Sequence, residues 1–481
     1  MSYRITPPMR RKARVPVHVI IGAGPRALAL VNDDGELRQA HGPARCRALL
    51  EPLRGQQVYS LAKLTNVVLS VGADQWEGFT WKGALVRVKL DGGPTVHPVR
   101  RALVGVEPFA AVEGLRSALD WLDGLGVWPG SLGAMGWNLW RSTLTRPVRL
   151  AGPPEPARAA LFGGRQEAPF PGDYADARYH DLGAAYPASM AAHPYPSRMV
   201  QVSPQTALAG LVGLARATVR IPPLRWCPIP VRVGKGAICY GFGRAEGWWP
   251  ARELLMARDA GCSVRIEELW AGIPDLDLFG PWWQLVRDGR QLPGAAGAVV
   301  KGLTSSLWGQ FAIDDTGGAT VRWRDRWARR PVRVAHVRSK PLPQQQAAYI
   351  ASETTARVRG RLWREALAVV PDVLYCDTDA VVTGLDLGPE PAGVEPGRWR
   401  VKATMVRCEI RGPQVMRHTC PTCGRDHAPW HYTVAGAPTA EVAERVFTRS
   451  ARMRGQLVAS IAPGDVTLPR GDLSRYTQLA S

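Results

Sequence analysis

Lysine and acidic residues are scarce in this 481-residue sequence. Only eight of the 61 basic residues are lysines, so 53 are arginines, and the 41 acidic residues leave a net charge of +20. Because arginine binds phosphate in a bidentate manner and stacks on bases, this balance favours a polyanionic partner, and nucleic acid in particular. A GC-rich genome would also raise the arginine, alanine, glycine and proline content together, so charge alone does not decide between these explanations.

Long apolar runs and a framework of paired cysteines are also missing. No apolar run reaches the roughly 18–20 residues that span a membrane, and Pro25 and Arg26 interrupt the apolar stretch behind the basic N-terminus. The eight cysteines are scattered along the chain and do not suggest a disulfide framework. Hydrophobic residues make up 46% of the sequence, which excludes wholesale disorder. We expect a reduced, cytoplasmic protein without membrane association.

Turn residues and apolar periodicity predict the organisation of the chain. A loose basic leader precedes a strand from Val17 to Leu30, and a hairpin lies within residues 77–106. Helical spacing follows in residues 107–147, and a Pro- and Ala-rich linker then runs to about residue 159. The helices predicted further along are 249–260, 279–290, 295–311, 346–369 (amphipathic) and 440–460. The second and third of these form a helical hairpin.

Acidic residues at the ends of two predicted strands indicate metal-dependent chemistry. Asp377 and Asp379 lie at a predicted hairpin tip between two apolar runs, where negative charge is costly unless a cation neutralises it. Asp181 ends another predicted strand. Two strands that each deliver a carboxylate can hold two hard cations about 3.5–4 Å apart, which is the geometry of in-line phosphoryl transfer.

Basic residues on the predicted helical hairpin could meet the phosphates of such a substrate. Lys301 lies on the second helix, and Arg287 and Arg290 lie on the first. A single Asp-x-Asp is usually a turn, and a single lysine on a helix usually faces solvent. The order and spacing of the segments therefore matter more than any one of them.

In this order, the segments resemble the polymerase motifs of family B DNA polymerases, whose patterns are DxxSLYPS, KxxxNSxYG and YxDTDS. The matching residues are Asp181 and Tyr186 in the first motif, Lys301, Ser306 and Gly309 in the second, and Tyr375, Asp377, Thr378 and Asp379 in the third. Residues 161–165 resemble the YxGG segment that precedes the palm in phage members. The resemblance covers about residues 160–435.

The resemblance implies an α/β (α+β) right-hand fold with palm, helical-hairpin fingers and a short thumb. A degenerate exonuclease-like domain, or an unrelated DNA-binding domain, would precede the palm. The implied boundaries are 1–150 for the N-terminal domain, 160–275 for the first palm segment, 276–312 for the fingers, 313–435 for the second palm segment and 436–481 for the thumb.

The resemblance also implies roles for individual residues. Asp181 and Asp379 would be the ligands of two Mg²⁺ ions, for which Mn²⁺ can substitute. Asp377, the third catalytic residue, would support the hairpin tip and could bind metal indirectly. Tyr186 would be the steric gate that excludes a ribose 2′-OH, so the substrate would be a dNTP. The residues implied to contact the dNTP are Tyr186, Lys301, Arg287, Arg290, Ser305 and Trp308.

Several positions depart from the family patterns. Ser305 and Trp308 replace the family's Asn and Tyr in the second motif. Further replacements are Ala184 and Ala185 in the first motif, Ala380 in the third, Leu161 in the YxGG segment, and Gln414-x-Met416 in place of KxY. Because the catalytic carboxylates are retained, these departures bear on fidelity and primer grip more than on catalysis.

The N-terminal region lacks the carboxylates of a proofreading exonuclease. A DxE pair would be expected in a strand where residues 20–24 read Ile-Ile-Gly-Ala-Gly. Asp34 and Glu36 have the DxE spacing but lie in a predicted turn. Gly22 and Gly24 are also a weak match to a dinucleotide-binding loop, because the third glycine is absent. We therefore expect no 3′→5′ exonuclease activity.

A Cys-x-x-Cys segment near the end of the second palm segment suggests a structural zinc ion. Cys420 and Cys423 could bind zinc with two of His418, His427 and His431, as a knuckle within residues 418–431. A turn with free thiols and incidental histidines is the alternative, because a single Cys-x-x-Cys is only half of a zinc motif.

The sequence thus predicts a template-directed, non-proofreading DNA polymerase of phage or mobile-element type. Its partners would be primer-template DNA, dNTPs and a priming or replisome protein, and we expect a monomer in the cytoplasm, that of the host cell if a phage encodes it. One alternative is a primer-independent or protein-primed polymerase, in which the basic N-terminal region and the Arg-rich hairpin at 320–338 hold a priming partner or a single strand. The other is a catalytically inactive DNA-binding accessory protein, which predicts a lost carboxylate, whereas Asp181 and Asp379 are both present.

Overall fold

The computed structural model describes nearly all of residues 16–312, 347–385, 396–419 and 430–434. The gaps inside these ranges are 25–26, 33, 63, 72–75, 82–83, 100–101, 104–105, 128–129 and 234–236. Outside them the structure describes only residues 3–5, 322–324, 331–333, 387, 443–444, 447–448 and 466–467, so most of the predicted thumb and of the hairpin at 320–338 lies outside the described residues. Among the described helices, none combines the length and the apolar character required to cross a bilayer.

The chain divides into two compact units. The N-terminal unit comprises Ser2–Arg149 and Leu278–Gln345. The C-terminal unit comprises Leu150–Asp277 and Gln346–Ser481, together with Met1. The predicted helical hairpin therefore belongs to the same unit as the N-terminal residues.

The elements are numbered in chain order. The strands are β1 (Tyr3–Ile5), β2 (His18–Gly24), β3 (Ala27–Val31), β4 (Leu37–His41), β5 (Gln57–Ser60), β6 (Trp76–Trp81), β7 (Ala84–Leu90), β8 (Thr95–Pro98), β9 (Val148–Leu150), β10 (Arg165–Glu167), β11 (Gly172–Leu182), β12 (Val200–Val202), β13 (Val212–Ile221), β14 (Val231–Val233), β15 (Ala237–Cys239), β16 (Phe242–Pro250), β17 (Ser263–Gly272), β18 (Arg322–Arg324), β19 (Pro331–Arg333), β20 (Tyr375–Thr378), β21 (Ala380–Thr383), β22 (Trp399–Gly412), β23 (Val415–Thr419), β24 (His431–Val434) and β25 (Val466–Thr467). The helices are α1 (Pro43–Leu50), α2 (Leu64–Val71), α3 (Pro108–Gly124), α4 (Leu132–Ser142), α5 (Pro154–Ala159), α6 (Ala185–Ala191), α7 (Ala251–Asp259), α8 (Gly280–Arg290), α9 (Ala295–Ser305), α10 (Leu307–Phe311) and α11 (Ala348–Leu362). A 3₁₀ turn (Glu51–Leu53) follows α1, and a π-helical turn (Trp363–Leu367) follows α11.

A seven-stranded mixed sheet forms the core of the N-terminal unit, in the order β4-β3-β2-β5-β8-β7-β6. β2, β5 and β8 run parallel, and the other pairs are antiparallel. The prediction of one strand from Val17 to Leu30 is wrong, because β2 and β3 are separate antiparallel strands with a register shift at Ile21. Gly22 and Gly24 pair with β3 inside the sheet, so they do not form a dinucleotide-binding loop.

Within the N-terminal unit, helix α9 packs against α3, α4 and α8, and α10 packs against α4. Two glycines permit the close approach: a Cβ at Gly114 would lie 2.3 Å from Ala295 Cβ, and one at Gly136 would lie 2.3 Å from the Leu303 carbonyl oxygen. An aromatic cluster completes the contact, formed by Trp137, Trp140, Phe279, Trp282 and Phe311. The helices that the resemblance implies to be fingers thus share a core with N-terminal residues.

Two antiparallel sheets organise the C-terminal unit. The larger has the order β10-β20-β21-β11-β22-β23-β24, and the smaller has the order β12-β17-β13-β16-β25. Cys376 and Val381 pack into one apolar cluster, whereas Tyr375 and Val382 pack into another. Because alternate residues of a strand face opposite sides of a sheet, β20 and β21 are covered on both faces. The apolar runs that flank Asp377 and Asp379 are therefore buried, as expected from the sequence.

Helix α11 is buried on all sides, so its prediction as an amphipathic helix is wrong. Every residue of the helix except Arg361 is buried. Its charged side chains are paired: Arg357 Nε donates to Glu353 Oε1 at 3.0 Å, and Arg359 Nε donates to Glu253 Oε1 at 2.7 Å. Because a buried charge without a partner costs several kcal/mol, these pairs allow a charged helix to occupy the core.

Candidate active site

Asp181 and Asp379 lie on neighbouring strands of the larger sheet. Asp181 is the penultimate residue of β11 and pairs in register with Ala380, the first residue of β21. Asp379 forms the tip of the β20–β21 hairpin, and its carbonyl oxygen accepts a 2.8 Å hydrogen bond from the Leu182 N–H. Thr378 turns the chain at this tip with a left-handed φ of 62°. The structure thus brings these two predicted carboxylates together.

The surroundings of Asp379 disfavour the ionised form of its carboxyl group. Burial, and then the negative charge of Asp181, raise the pKa of Asp379 to about 7. A nearby negative charge disfavours the ionised form of a carboxyl group, so near neutral pH Asp379 is protonated in part of the molecules unless a cation neutralises the pair. This property is typical of carboxylates that bind a divalent ion.

The donor set fits an open Mg²⁺ site. Among the described residues, no group of three or more His, Cys, Asp or Glu side chains is arranged to hold a metal ion. Mg²⁺ in phosphoryl-transfer sites is usually held by only one or two carboxylates, and water and substrate phosphates supply the remaining ligands. Asp181 and Asp379 provide that number of carboxylates, and both are only partly buried.

Asp377 is held by uncharged donors. Its Oδ1 accepts hydrogen bonds from Gln166 Nε2 at 3.2 Å, Thr378 Oγ1 at 3.1 Å and Gln414 Nε2 at 3.4 Å. Its Oδ2 accepts one from the Tyr375 hydroxyl at 3.4 Å. Since both oxygens already have donors, the contacts of Asp377 favour a role in fixing the hairpin tip.

Tyr186 lies beside the hairpin tip, in the first turn of α6. A Cβ at Gly164 would lie 2.9 Å from the Tyr186 hydroxyl oxygen and 2.6 Å from Thr378 Cγ2, so the glycine allows a close approach between these groups. Burial, and then the charge of Asp379, raise the pKa of Tyr186. Tyr186 is therefore a neutral phenol next to the carboxylate pair.

A buried arginine holds the segment that contains Gly164. Arg359 Nη1 donates to the carbonyl oxygens of Phe162 and Gly163, both at 2.7 Å. The same side chain is paired with Glu253. Helix α11 thus positions the Gly-Gly segment against Tyr186.

The residues expected to bind the triphosphate lie on helices of the N-terminal unit, whereas Asp181 and Asp379 belong to the C-terminal unit. Arg287 and Arg290 are three residues apart on α8, and Lys301 and Ser305 are four apart on α9; residues at these spacings share a helix face. Arg287 and Lys301 are exposed, and Arg290, Ser305 and Trp308 (on α10) are half-buried.

Sequence reasoning missed two cations beside the carboxylates, Arg400 and Lys402 of β22. Arg400 pairs in register with Asp181, and its Nη2 lies 2.8 Å from Asp181 Oδ2. Lys402 Nζ lies 4.6 Å from the centre of the Tyr179 ring, and its charge opposes the rise in the pKa of Asp379. The only sequence signal for these cations was the alternate spacing of Arg400 and Lys402, and this spacing does not show that β11 is the neighbouring strand.

Asp34 and Glu36 lie in the exposed turn between β3 and β4. Glu36 Oε2 accepts hydrogen bonds from Arg38 Nη2 at 2.7 Å and from Asn32 Nδ2 at 3.2 Å. β2 itself contains no acidic residue. Asp34 and Glu36, which have the DxE spacing, therefore make their hydrogen bonds within this turn, to Asn32 and Arg38.

Three of the predicted zinc ligands, Cys420, Cys423 and His427, lie outside the described residues. His418 on β23 and His431 on β24 pair in register, and their rings stack with centroids 4.9 Å apart. Burial, and then the charge of His431, lower the pKa of His418 to about 4. His418 is therefore neutral at pH 7, which is the form that binds metals.

Comparison of the sequence with known families and curated proteins gives no match. Comparison of the structure does: the mixed α/β fold is that of phage-type family B DNA polymerases, which confirms the predicted resemblance at the level of the fold.

The solved structures in question are of phi29 DNA polymerase. Its ternary complex with primer-template DNA and incoming nucleotides matches with a TM-score of 0.66, 12% sequence identity, and coverage of 90% of this chain and 94% of the phi29 chain. An orthorhombic crystal form matches with a TM-score of 0.67 and 12% sequence identity, and the match covers 91% of this chain and 95% of the phi29 chain. The binary complex with primer-template DNA matches with a TM-score of 0.66 and 12% sequence identity, and the match covers 91% of this chain and 94% of the phi29 chain.

Proposed function

We propose that this protein is a template-directed DNA polymerase that adds dNTPs to a primer 3′-OH. The observation that carries the proposal is the Asp181–Asp379 pair on neighbouring strands, in a chain with the fold of phi29 DNA polymerase. The phi29 enzyme was solved with primer-template DNA and incoming nucleotides, which supports the same partners here. The net charge of +20 would provide a salt-dependent grip on the DNA backbone.

Asp181 and Asp379 would hold Mg²⁺, or Mn²⁺ in its place. When bound, such ions activate the attacking hydroxyl and neutralise charge on the leaving phosphates. Asp377 would keep the hairpin tip in place through its uncharged donors. Tyr186, beside the carboxylates, would occupy the space of a ribose 2′-OH and so select dNTPs.

The helical-hairpin residues would bind the rest of the nucleotide. Lys301, as a compact positive charge, and Arg287 and Arg290, as forked donors, suit the triphosphate. Ser305 and Trp308 would lie near the nascent base pair. Their helices are supported by the shared core of the N-terminal unit, so we propose support of these helices as one role of the N-terminal domain.

Primer extension on a defined single-stranded template, with Mg²⁺ and all four dNTPs, tests the proposal. We expect a labelled primer to grow to the end of the template. A parallel reaction on circular single-stranded template without primer separates the alternatives, because product in that reaction would favour primer-independent synthesis. Retention of DNA with no extension in either reaction would instead favour an inactive accessory protein.

We further propose that the enzyme does not proofread. A two-metal 3′→5′ exonuclease needs acidic ligands, whereas β2 has none and Glu36 is paired with Arg38. A labelled primer with a mismatched 3′ end, incubated with Mg²⁺ and no dNTP, should therefore keep its length. The double variant Asp34→Ala, Glu36→Ala is the control, and shortening that this variant abolishes would contradict the proposal.

A structural zinc ion bound by Cys420, Cys423 and two of His418, His427 and His431 is also proposed. Support comes from the register pairing of His418 with His431 and from the neutral state of His418. Metal analysis of the purified protein should find about one zinc per chain, because closed structural sites retain their metal. The Cys420→Ser, Cys423→Ser variant should lose it, and a stable, active protein free of zinc would refute the site.

A further inference from the structure

A cation of the protein itself is bound to one of the two candidate metal ligands. Arg400 on β22 is the cross-strand partner of Asp181 on β11. Its Nε and Nη2 both donate to the same oxygen, Asp181 Oδ2, at 3.1 and 2.8 Å. The Arg400 side chain is 37% exposed and that of Asp181 is 14% exposed. The guanidinium can therefore move away from Asp181 without disturbing the core.

The backbone of β22 is irregular next to this ion pair. The register of β22 against β11 skips Lys402, which is therefore the extra residue of a β-bulge. Bulges redirect side chains and occur often beside active sites. Here the bulged residue places its Nζ over the Tyr179 ring. One strand thus supplies two separate cations to the neighbourhood of the carboxylates, and only Arg400 is hydrogen-bonded to Asp181 within the described residues.

The position of the Arg400 guanidinium conflicts with a divalent ion on the same oxygen. An oxygen that accepts two charge-assisted N–H bonds has little remaining capacity to bind a metal. A guanidinium and a divalent ion on one oxygen would also repel each other. Binding of an ion at Asp181 Oδ2 therefore requires that Arg400 leave.

We propose that Arg400 is a positioning residue that holds Asp181 when no divalent ion is bound and lowers the affinity of the carboxylate pair for such ions. The inference rests on the proposed role of Asp181 and Asp379 as metal ligands. Another anion for the guanidinium favours the release of Arg400, and the phosphates of a nucleotide suit its forked donors. Arg400 therefore makes ion binding stronger when nucleotide is present than when it is absent.

The test is Mn²⁺ binding to the full-length protein without DNA, followed through the loss of the electron paramagnetic resonance signal of free Mn²⁺. Arg400→Gln removes the charge, and we expect it to tighten Mn²⁺ binding about two- to fivefold, the effect of one partly exposed charge. Arg400→Lys keeps the charge and should stay closer to the wild type. Arg407→Gln, on the same strand but paired with Glu409, is the matched control for lost charge and should not change the affinity.

Nucleotide provides a second readout. Adding dTTP should reduce the difference between the wild type and Arg400→Gln, because the phosphates take over the guanidinium in the wild type. Unchanged or weaker Mn²⁺ binding by folded Arg400→Gln would overturn the proposal. Asp181→Asn and Asp379→Asn test the metal assignment separately from the role of Arg400. If neither variant weakens Mn²⁺ binding, the assignment of the metal ligands fails. If both weaken it and Arg400→Gln has no effect, only the role of Arg400 is wrong.

Discussion

Asp379→Asn and Asp181→Asn are each expected to reduce nucleotide addition by about 10³-fold or more. Loss of a carboxylate that holds a catalytic metal removes several kcal/mol of transition-state stabilisation, and each 1.4 kcal/mol is a factor of about ten in rate. The amide keeps the shape of the side chain but loses the charge. Because the basic surface is unchanged, affinity for primer-template DNA should be retained.

Single-turnover primer extension measures the rate, and gel retardation measures DNA binding. Asp176→Asn is the matched control: Asp176 lies on β11 five residues before Asp181, is exposed, and has a left-handed φ of 51° that asparagine tolerates. The control should extend primers at the wild-type rate. A folded Asp181 or Asp379 variant with near wild-type extension would refute the assignment of that residue.

Tyr186→Ala is expected to raise the use of rNTPs relative to dNTPs by about 10- to 200-fold, the discrimination that pocket shape provides against one small group. The ring lies beside Asp379 and is packed against the apolar cluster of the C-terminal unit. Truncation would open the space that a 2′-OH requires.

The Tyr186→Phe variant is the control for this effect. It keeps the ring and removes only the hydroxyl, so its preference for dNTPs should remain near that of the wild type. Single-nucleotide incorporation with dNTP and rNTP gives the ratio directly. An unchanged ratio in Tyr186→Ala would mean that Tyr186 is a core residue without a role in sugar selection.

Local patterns predicted helical structure where α3, α4, α8 and α9 lie, but not where α1 and α2 lie. Pro108 and Ser131 mark the starts of α3 and α4, and Glu107 and Ser131 cap them as helix-start chemistry requires. The division between β2 and β3 was missed because both strands are apolar, although Gly24-Pro25 is a dipeptide typical of turns. Helix α11 was predicted to be amphipathic because its charged residues are spaced like those of a solvent-exposed helix face. The sequence does not show that Glu253, which is distant along the chain, pairs with Arg359 in the core.

At the candidate site, the order of the motifs identified both carboxylates: Asp181 near the end of β11, and Asp379 at the tip between β20 and β21. The environment of those carboxylates could not be predicted. Arg400 is 219 residues from Asp181 in sequence, and Gln166 is 211 residues from Asp377. Such contacts depend on the strand order of the sheet, which no local pattern specifies.

The central claim, templated nucleotide addition, is tested most directly by offering each dNTP singly to four primer-templates that differ only in the first templating base. The account predicts that wild-type protein with Mg²⁺ extends each primer by the complementary nucleotide and that the Asp379→Asn protein extends none. Addition that is independent of the templating base, or equal addition by the Asp379→Asn protein, would contradict it.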